Sequence, residues 1–599
     1  MTYNWTIYPK SFLPEELLEL SQGDSLLARL LINRNVHSKD LAQYFLDLEN
    51  VIPSDPYEIP ELDKAVERIN RAISAKEKIT IYGDYDVDGT SSTALLIRAF
   101  AMIGVAVDYY IPSRHTEGYG LNKEAIRKSY QEKRSTLLIT CDCGISNYAE
   151  VEFANSIGLD VIITDHHSIP KQTPPSIANC NPKTLDPSHP LHYLPGVGVA
   201  YKLAEKLLEL HAPDSITAKA CAESLLDLVA LGMIADMASL RAENRYLTIR
   251  GLVVLSKTSK VGLRELLFTS GVNGTADSEH IGFGLAPRIN AAGRLADAAR
   301  AVELMITEDK EYAQELCSDL DSGNRERQVL CQKIIAHALG KLQKDSGFQE
   351  HNCIVVSDAD WHHGVIGIVA SKLLDTFHLP VFIMAIENDS ARGSVRSINI
   401  GDLDIFEEMQ AIQSKTNLFT KYGGHKMAAG FSCKASDVEA LTTAIKDHFR
   451  NKLADSNLIK KVKIDTALKL NEVNSRLLDR IAKLAPYGID NPQPLFLAGP
   501  LIVDRIKTLG KDQKHLKLFV KDAESKRSYE AVIWNRAEEF LAKYPLLTKP
   551  ELCFVFSAKL NEFNGEVSIQ LDIKDWKELS EVDDSFFARF KAMEAHLRN

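Results

Sequence analysis

The chain has 599 residues, 45% of them apolar and 25% charged, with a formal net charge of −11. At roughly 150 residues per domain this is about four domains of ordinary soluble globular composition, and no apolar run reaches the roughly 20 residues a membrane span needs. Nine cysteines without paired CxxC units argue against structural zinc and for a reduced compartment, whereas the acidic balance excludes little, because a local basic groove can sit on an acidic body.

The N-terminal stretch MTYNWTIYPKSFLPEELLEL lacks the order of a signal peptide, so a cytoplasmic protein is expected. Residues 1–60 read as a helical, peripheral segment broken by Pro14, Pro53, Pro56 and Pro60. Residues 61–250 then alternate at short intervals. KITIYG, VAVDYYIP, STLLITCD and LDVIITDHH read as strands, and TSSTALLIRAFAMIG, NKEAIRKSYQEK and NYAEVEFANSIG as helices. That rhythm predicts a parallel α/β sheet with right-handed crossovers. Residues 251–345 form a connecting helical region, with a long helix within 297–345. Residues 346–455 make a second α/β unit with strands NCIVVSD and LPVFIMAI, a turn-to-helix WHHGVIGIVASKLL and a glycine-rich loop KYGGHKMAAG. Over 456–575 the texture turns to β: five strand candidates, with the helix AEEFLAKY between the third and fourth, predict an OB-fold barrel. The tail, 576–599, ends in a short predicted helix, SFFARFKAMEAHLRN.

The polar clusters fall where a parallel sheet binds ligands, beyond the carboxyl ends of its strands. Asp84, Asp86 and Asp88 follow one strand, Asp142 ends another, and Asp165-His166-His167 end a third. Asp236 closes the apolar helix LLDLVALGMIADM. Singly, these are an acidic turn capping a helix from Thr90, a strand-end turn and a loop histidine pair. Together on one sheet edge they predict a site for hard divalent cations. Two ions about 4 Å apart, sharing an aspartate, would stabilise both the attacking and the leaving oxygen of an in-line phosphoryl displacement.

Other motifs suit substrate. GSVRS sets Ser394 and Arg396 two residues apart, a hydroxyl and a guanidinium fit for a terminal phosphate. IPSRHTEGYG offers Arg114, and PRINAAGRL offers Arg288 and Arg294, each of which alone could be a surface salt bridge. Gly424 and His425 lie in GGHKMAAG, whose backbone N–H groups could approach phosphate. LPGVGVAYKLAEKLL reads either as a backbone-binding helical hairpin or as a helix beginning tightly in the core.

GDYDVDG, CDCG, DHH and Asp236, in that order, resemble the motifs of the DHH phosphoesterase superfamily, and WHHGVIGIVASKL, GSVRS and GGHKMAAG resemble its DHHA1 companion domain. With PRINAAGRL, the connecting helix and the OB-like segment, the chain resembles RecJ-type single-strand-specific exonucleases over about residues 45–575. The resemblance implies removal of 5′-mononucleotides from single-stranded DNA with Mn²⁺ or Mg²⁺. It assigns metal binding to Asp86, Asp88, Asp142, His166 and Asp236, and a role at the scissile phosphate to His167, making Asp142, His166 and His167 the catalytic group. The 5′ phosphate falls to Arg114, Ser394 and Arg396, and the next nucleotides to Arg288, Arg294 and the polar stretch DSGNRERQ with Asn324 and Gln328. Lys514, Lys517 and Phe519 would hold the strand on the OB domain. The resemblance further implies a monomer that works with a helicase and a single-strand-binding protein in mismatch repair, recombination and fork restart. One departure stands out: many DHH enzymes ligate metal with a histidine where this chain has Tyr82, and Asp84 is the residue placed to compensate. The alternatives are a DHH/DHHA1 phosphodiesterase for oligoribonucleotides or cyclic dinucleotides, and a RecJ-like replication scaffold that has lost its ligands.

Overall fold

The computed structural model describes residues 3–9, 11–114, 116–345, 347–454, 456, 458–522, 528–563 and 566–582. The expected tail helix over 585–599 lies outside the described residues.

The chain opens in strand β1 (Asn4–Ile7) and continues through helices Glu15–Leu20, Ser25–Ile32 and Lys39–Leu46. The helices match expectation, but the segment is not peripheral. Leu27, Leu30 and Leu31 share one core with Phe496, Leu501 and Phe554 of the distant C-terminal barrel. The run SLLARLLI is apolar on more than one side because two partners cover it.

The first sheet comprises β2 (Ile79–Gly83), β3 (Asp108–Tyr110), β4 (Leu137–Cys141), β5 (Asp160–Thr164) and β6 (Ala178–Cys180). They run parallel in the order β3-β2-β4-β5-β6. Every residue of β2 and β4 is buried, as in a sheet covered on both faces. Ile79, Ile81 and Ile139 face helices Leu62–Ala75, Val87–Met102 and Gly196–His211; Tyr82, Leu138 and Ile163 face Lys123–Gln131 and Tyr148–Ser156. After β2 the chain moves to one side for β3 and returns to the other for β4, so a crevice opens at the carboxyl ends of β2 and β4.

Shorter helices lead to a helix of 35 residues, Lys310–Lys344, started by Asp309 accepting from the N–H groups of Glu311 and Tyr312. At 1.5 Å per residue it spans about 50 Å. Its first half (Ala313, Leu316, Leu320) packs into the first domain and its second half (Ile334, Ala338, Leu342) into the next.

The second lobe holds β7 (Ile354–Asp358), β8 (Val381–Glu387), β9 (Ser390–Arg396), β10 (Phe419–His425) and β11 (Ala428–Lys434), in the order β10-β11-β9-β8-β7. Only β7 and β8 run parallel. KYGGHKMAAG was expected as a loop; it is instead the hairpin β10–β11 around Lys426 and Met427. Gly424 is needed for close approach: a Cβ there, at φ +154°, would lie 2.5 Å from the Ala428 carbonyl oxygen.

β12 (Lys461–Ile464) pairs with β1, and β13 (Thr466–Ala467) leads into the barrel. The barrel strands β14 (Phe496–Leu509), β15 (His515–Lys521), β16 (Tyr529–Ile533), β17 (Glu551–Phe563) and β18 (Glu566–Lys577) close through β14–β17 pairing. Helix Ala537–Lys543 lies between β16 and β17, which is the five-stranded OB arrangement expected.

Candidate metal centre and anion pocket

Asp86 caps the helix that follows β2, accepting from the Gly89 N–H at 3.1 Å. The helix begins at Val87 rather than Thr90, so Asp88 lies in its first turn, where the helix dipole favours an anion. Gly89 is required: a Cβ there would sit 2.5 Å from the backbone of Asp84. The Asp88 carboxylate accepts from the Gly196 and Val197 N–H groups, both at 2.7 Å. LPGVGV is therefore a helix beginning in the core against Asp88, the second of its two sequence readings. Asp142 leaves β4 in the left-handed region, φ +61°, uncommon for a residue with a side chain. Its Oδ1 lies 3.0 Å from His166 Nε2, which is itself 3.8 Å from Asp88 and 3.9 Å from Asp236.

Ligand atoms of Asp84, Asp86 and Asp142 lie within 4.8 Å of one another, as do those of Asp88, His166 and Asp236, and those of Asp142, His166 and His167. Asp84 Oδ1, Asp142 Oδ1 and His166 Nε2 are buried and make no hydrogen bond, the last two in spite of their 3.0 Å approach. A buried polar atom left unpaired costs about 1–3 kcal/mol, so three of them facing one space mark a place made for a ligand. A set of carboxylate oxygens with one imidazole nitrogen fits Mn²⁺ or Mg²⁺.

Burial and mutual repulsion raise Asp84, Asp88 and Asp142 well above the usual carboxylate range, and burial with repulsion from Asp86 lifts Asp236 to about 7. Burial pushes His166 down to about 3, leaving it the neutral ring a metal needs. His167 is held differently. Against the penalty of burial, its hydrogen bond to Asp165, 2.8 Å at Nδ1, raises its affinity for a proton and keeps Asp165 ionised. Asp165 also accepts from the Ile145, His166 and His167 N–H groups, and the Tyr119 hydroxyl lies 3.0 Å from His167 Nδ1. Asp165 and Tyr119 were not singled out for these roles from sequence; the DHH triplet itself was the available signal.

Tyr82 does not enter the centre. Strand alternation turns it to the opposite face among Leu121, Ala125 and Val151, where its hydroxyl donates to the Gly120 carbonyl at 2.9 Å. Asp84, two residues on, is the side chain that comes within ligand range of Asp86 and Asp142.

A second cluster has the opposite sign. Arg294 is lowered to about 10 by burial and by repulsion from Arg114, Arg327 and Arg396. Burial and Arg114 likewise lower Arg396. Arg114 lies over the ring of Tyr85, 4.9 Å from its centroid, so the cluster abuts the acidic turn. Arg396 Nη1 donates to Ser394 Oγ at 3.3 Å, and Gly367 leaves room for both: a Cβ there would lie 3.1 Å from Ser394 Oγ. Guanidiniums with shared repulsion and few carboxylate partners suit an anion.

The remaining expected residues divide. His425 stands across the cleft, close enough for His167 to disfavour its charge. Arg288 is committed elsewhere: it donates to Asp321 at 2.9 and 3.0 Å and to the Gly284 carbonyl at 2.8 Å, locking its helix to the long one. Gln328 is exposed, and its neighbour Arg327, bonded to Asn324, is the residue turned to the cluster. The helical spacing of Asn324 and Arg327 in DSGNRERQ was the signal for it. Lys517 pairs with Glu530 at 2.8 Å and Lys514 with Asp512 at 3.2 Å. Phe519 carries Arg505 over its ring at 4.0 Å, an aromatic–cationic platform on the outside of the barrel.

A parallel sheet that gathers aspartates and a histidine pair at its switch point, faced by an arginine-bearing α/β lobe, defines a DHH-type phosphoesterase. Family models agree: the DHH family N-terminal domain matches residues 78–233, the DHHA1 domain 350–451 and the RecJ OB domain 464–575. The single-stranded-DNA-specific exonuclease RecJ of Bacillus subtilis (strain 168) is 36% identical over 553 residues, 92% of this chain and 67% of that protein. Its counterpart in Haemophilus influenzae is 31% identical over 566 residues, covering 92% of this chain and 97% of the relative. The crystal structure of Thermus thermophilus RecJ in complex with Mn²⁺ superposes with a TM-score of 0.79 at 28% identity, covering 96% of this chain and 79% of that one. The chain belongs to the RecJ family.

Proposed function

We propose that this protein is a divalent-metal-dependent exonuclease that degrades single-stranded DNA from its 5′ end to 5′-mononucleotides. The observation that carries this reading is the pairing of a cation-demanding cluster with an anion-demanding one across a single cleft, joined at Tyr85. Asp86, Asp88, Asp142, His166 and Asp236, with Asp84 beside them, would hold two ions, which when bound supply Lewis acidity and an activated water for attack on phosphorus.

The chain's own residues do the rest. Arg114, Ser394 and Arg396 grip the terminal phosphate, while Arg294 and Arg327 neutralise it and its neighbour. The distance from this grip to the acidic cluster sets the bond that is cut, one nucleotide from the end. His167, whose hold on a proton Asp165 strengthens, donates to the phosphoryl oxygen that gains charge as the bond breaks. Exclusion of a duplex from the cleft between the lobes would give the strand selectivity. Downstream, the strand lies on the barrel face bearing Lys514, Lys517 and the Arg505–Phe519 platform.

The protein works as a monomer in the cytoplasm, in DNA repair and recombination, on single strands that a helicase and a single-strand-binding protein present; no helix among the described residues is long and apolar enough to cross a membrane. The intact ligand set speaks against a scaffold without activity. Parallel digestion of 5′-labelled single-stranded DNA, duplex DNA and a dinucleotide in Mn²⁺ tests the reading. Release of labelled mononucleotide from the single strand alone is expected; cleavage confined to the dinucleotide would defeat it.

A further inference from the structure

Six residues after Asp236's neighbour Ser239 lies Arg245, on helix Ala242–Ser256, among the largest fully buried side chains of the protein. No carboxylate pairs with it among the described residues. Its charge is solvated by carbonyl oxygens: Nε donates to Tyr44 at 2.8 Å, Nη1 to Leu484 at 3.0 Å and Pro486 at 3.5 Å, and Nη2 to Lys483 at 3.1 Å and Ala485 at 2.7 Å. The Phe45 ring lies 4.0 Å from the guanidinium carbon. Four of these acceptors are at and just beyond the C-terminal end of helix Ser475–Ala482, where carbonyls lack intrahelical partners. One side chain thus ties the first domain, the N-terminal segment and the segment leading into the barrel.

Immediately after those carbonyls, residues 487–491 return to the first domain beside Asp236. The Leu240 N–H donates to the Ile489 carbonyl at 3.0 Å, and Ser239 Oγ donates to Asp490 at 2.7 Å. Asn491 Nδ2 closes the turn on the Leu484 and Pro486 carbonyls at 2.7 and 2.8 Å. Tyr487 and Ile489 then form one wall of a cavity of about 620 Å³, whose other walls include Met237, Phe283, Arg294 and Arg327. Phe283 is 85% and Met237 70% exposed, so the cavity mouth is open and apolar. Arg294 and Arg327 bring part of the arginine cluster to it, and Ala235 and Met237, which flank Asp236, line it too.

Any slip of the 483–491 segment would strip carbonyls from a buried cation and leave its charge unsolvated. The segment therefore has one seat. A lysine in place of Arg245 keeps the charge but lacks the planar fork of five donors that spans these acceptors.

We propose that Arg245 is a positioning residue for catalysis on long strands: it fixes the 483–491 segment, and through it the barrel, in register with the metal centre, so that a strand leaving the barrel face enters the cleft aligned for cutting. This rests on the single-strand exonuclease reading. A substrate too short to reach the barrel does not need the alignment, and a long one does.

Arg245→Lys should therefore raise KM for a long 5′-phosphorylated oligonucleotide by about tenfold and leave kcat, and kcat/KM on a 5′-phosphorylated trinucleotide, within about twofold. A role in folding alone would lower both substrates in proportion, with the active fraction of enzyme, and that result overturns the proposal. Asp490→Ala removes a partly exposed tether of the same segment and stands in if the lysine variant does not fold. It should raise long-substrate KM in the same selective way but less, and an unchanged ratio of long to short there would equally overturn it. Wild-type enzyme that fails to shorten single strands would instead defeat the exonuclease reading, leaving the two failures distinct.

Discussion

The acidic centre and the arginine pocket are mirror images in charge and opposites in construction. Each gathers like charges that repel, and each is stable only because burial in a rigid frame forces the groups together. The acidic groups come almost wholly from one sheet edge, on strands β2, β4 and β5 and one helix end, within residues 84–236. The arginines come from four separate elements: the loop after β3, the helix Ala286–Leu295, the long helix and β9. One cluster belongs to a domain and the other to an assembly of domains. The comparison teaches that the acidic centre is built locally and the arginine pocket is not.

That difference can be broken experimentally, beginning where the effect is largest. Asp142→Ala should lower nucleotide release from 5′-labelled single strands by about three orders of magnitude, a loss of several kcal/mol of transition-state stabilisation. The same change should raise the melting temperature of metal-free protein, because it removes one of the repelling carboxylates. Retained activity in Mn²⁺ would remove Asp142 from the centre. Arg396→Ala should reduce the preference for a phosphorylated over an unphosphorylated 5′ end by about 10- to 100-fold, the worth of hydrogen bonds to a charged group, while cleavage of unphosphorylated ends changes little. Competition between the two end types reads this directly.

Arg327 and Gln328 offer a finer contrast, since they are neighbours on one helix. Arg327→Ala should raise KM about tenfold and flatten its dependence on salt, and Gln328→Ala should leave both unchanged. Equal effects would mean that the pocket is not where the guanidiniums converge. The smallest expected effect is thermodynamic. Asp84, Asp88, Asp142 and Asp236 have folded-state proton affinities above those of an unfolded chain, and so has His167. His166, lowered to about 3, opposes them below its ordinary value of 6.5; above that the raised carboxylates dominate the centre, and the stability they contribute is lost as pH rises through about 7. Metal-free protein should therefore show a falling melting temperature between about pH 6.5 and pH 8. Added Mn²⁺ should raise the melting temperature more at the upper pH than at the lower, because protons and cations compete for the same oxygens.

Much of this was readable from residue order. The β–α rhythm of residues 78–164 produced each strand and helix within that span; β6, whose three residues, ANC, carry no periodicity, and the covering helix Leu62–Ala75 were not read from it. The five barrel strands and their inserted helix also stood out, since alternation with period two is a strong signal. The glycine-rich KYGGHKMAAG was harder. Glycines suggest a loop, yet here Gly424 lets two strands approach closely, a demand visible only when the hairpin packs. The N-terminal helices gave no hint that their partner lay more than four hundred residues away.

The sequence alone determined the chemistry of the acidic edge, because the carboxyl ends of parallel strands must lie side by side and the aspartates sit at those ends. It could not decide Tyr82, whose fate depends on which face of β2 its side chain takes; the tertiary structure turns it into the opposite core. Nor could it separate Arg288 from Arg327. Both are basic residues on helices, and only packing commits the first to Asp321 and aims the second at Arg294 and Arg396. Groups within one motif are placed by local geometry, whereas groups far apart in the chain are placed by the cores that form between them.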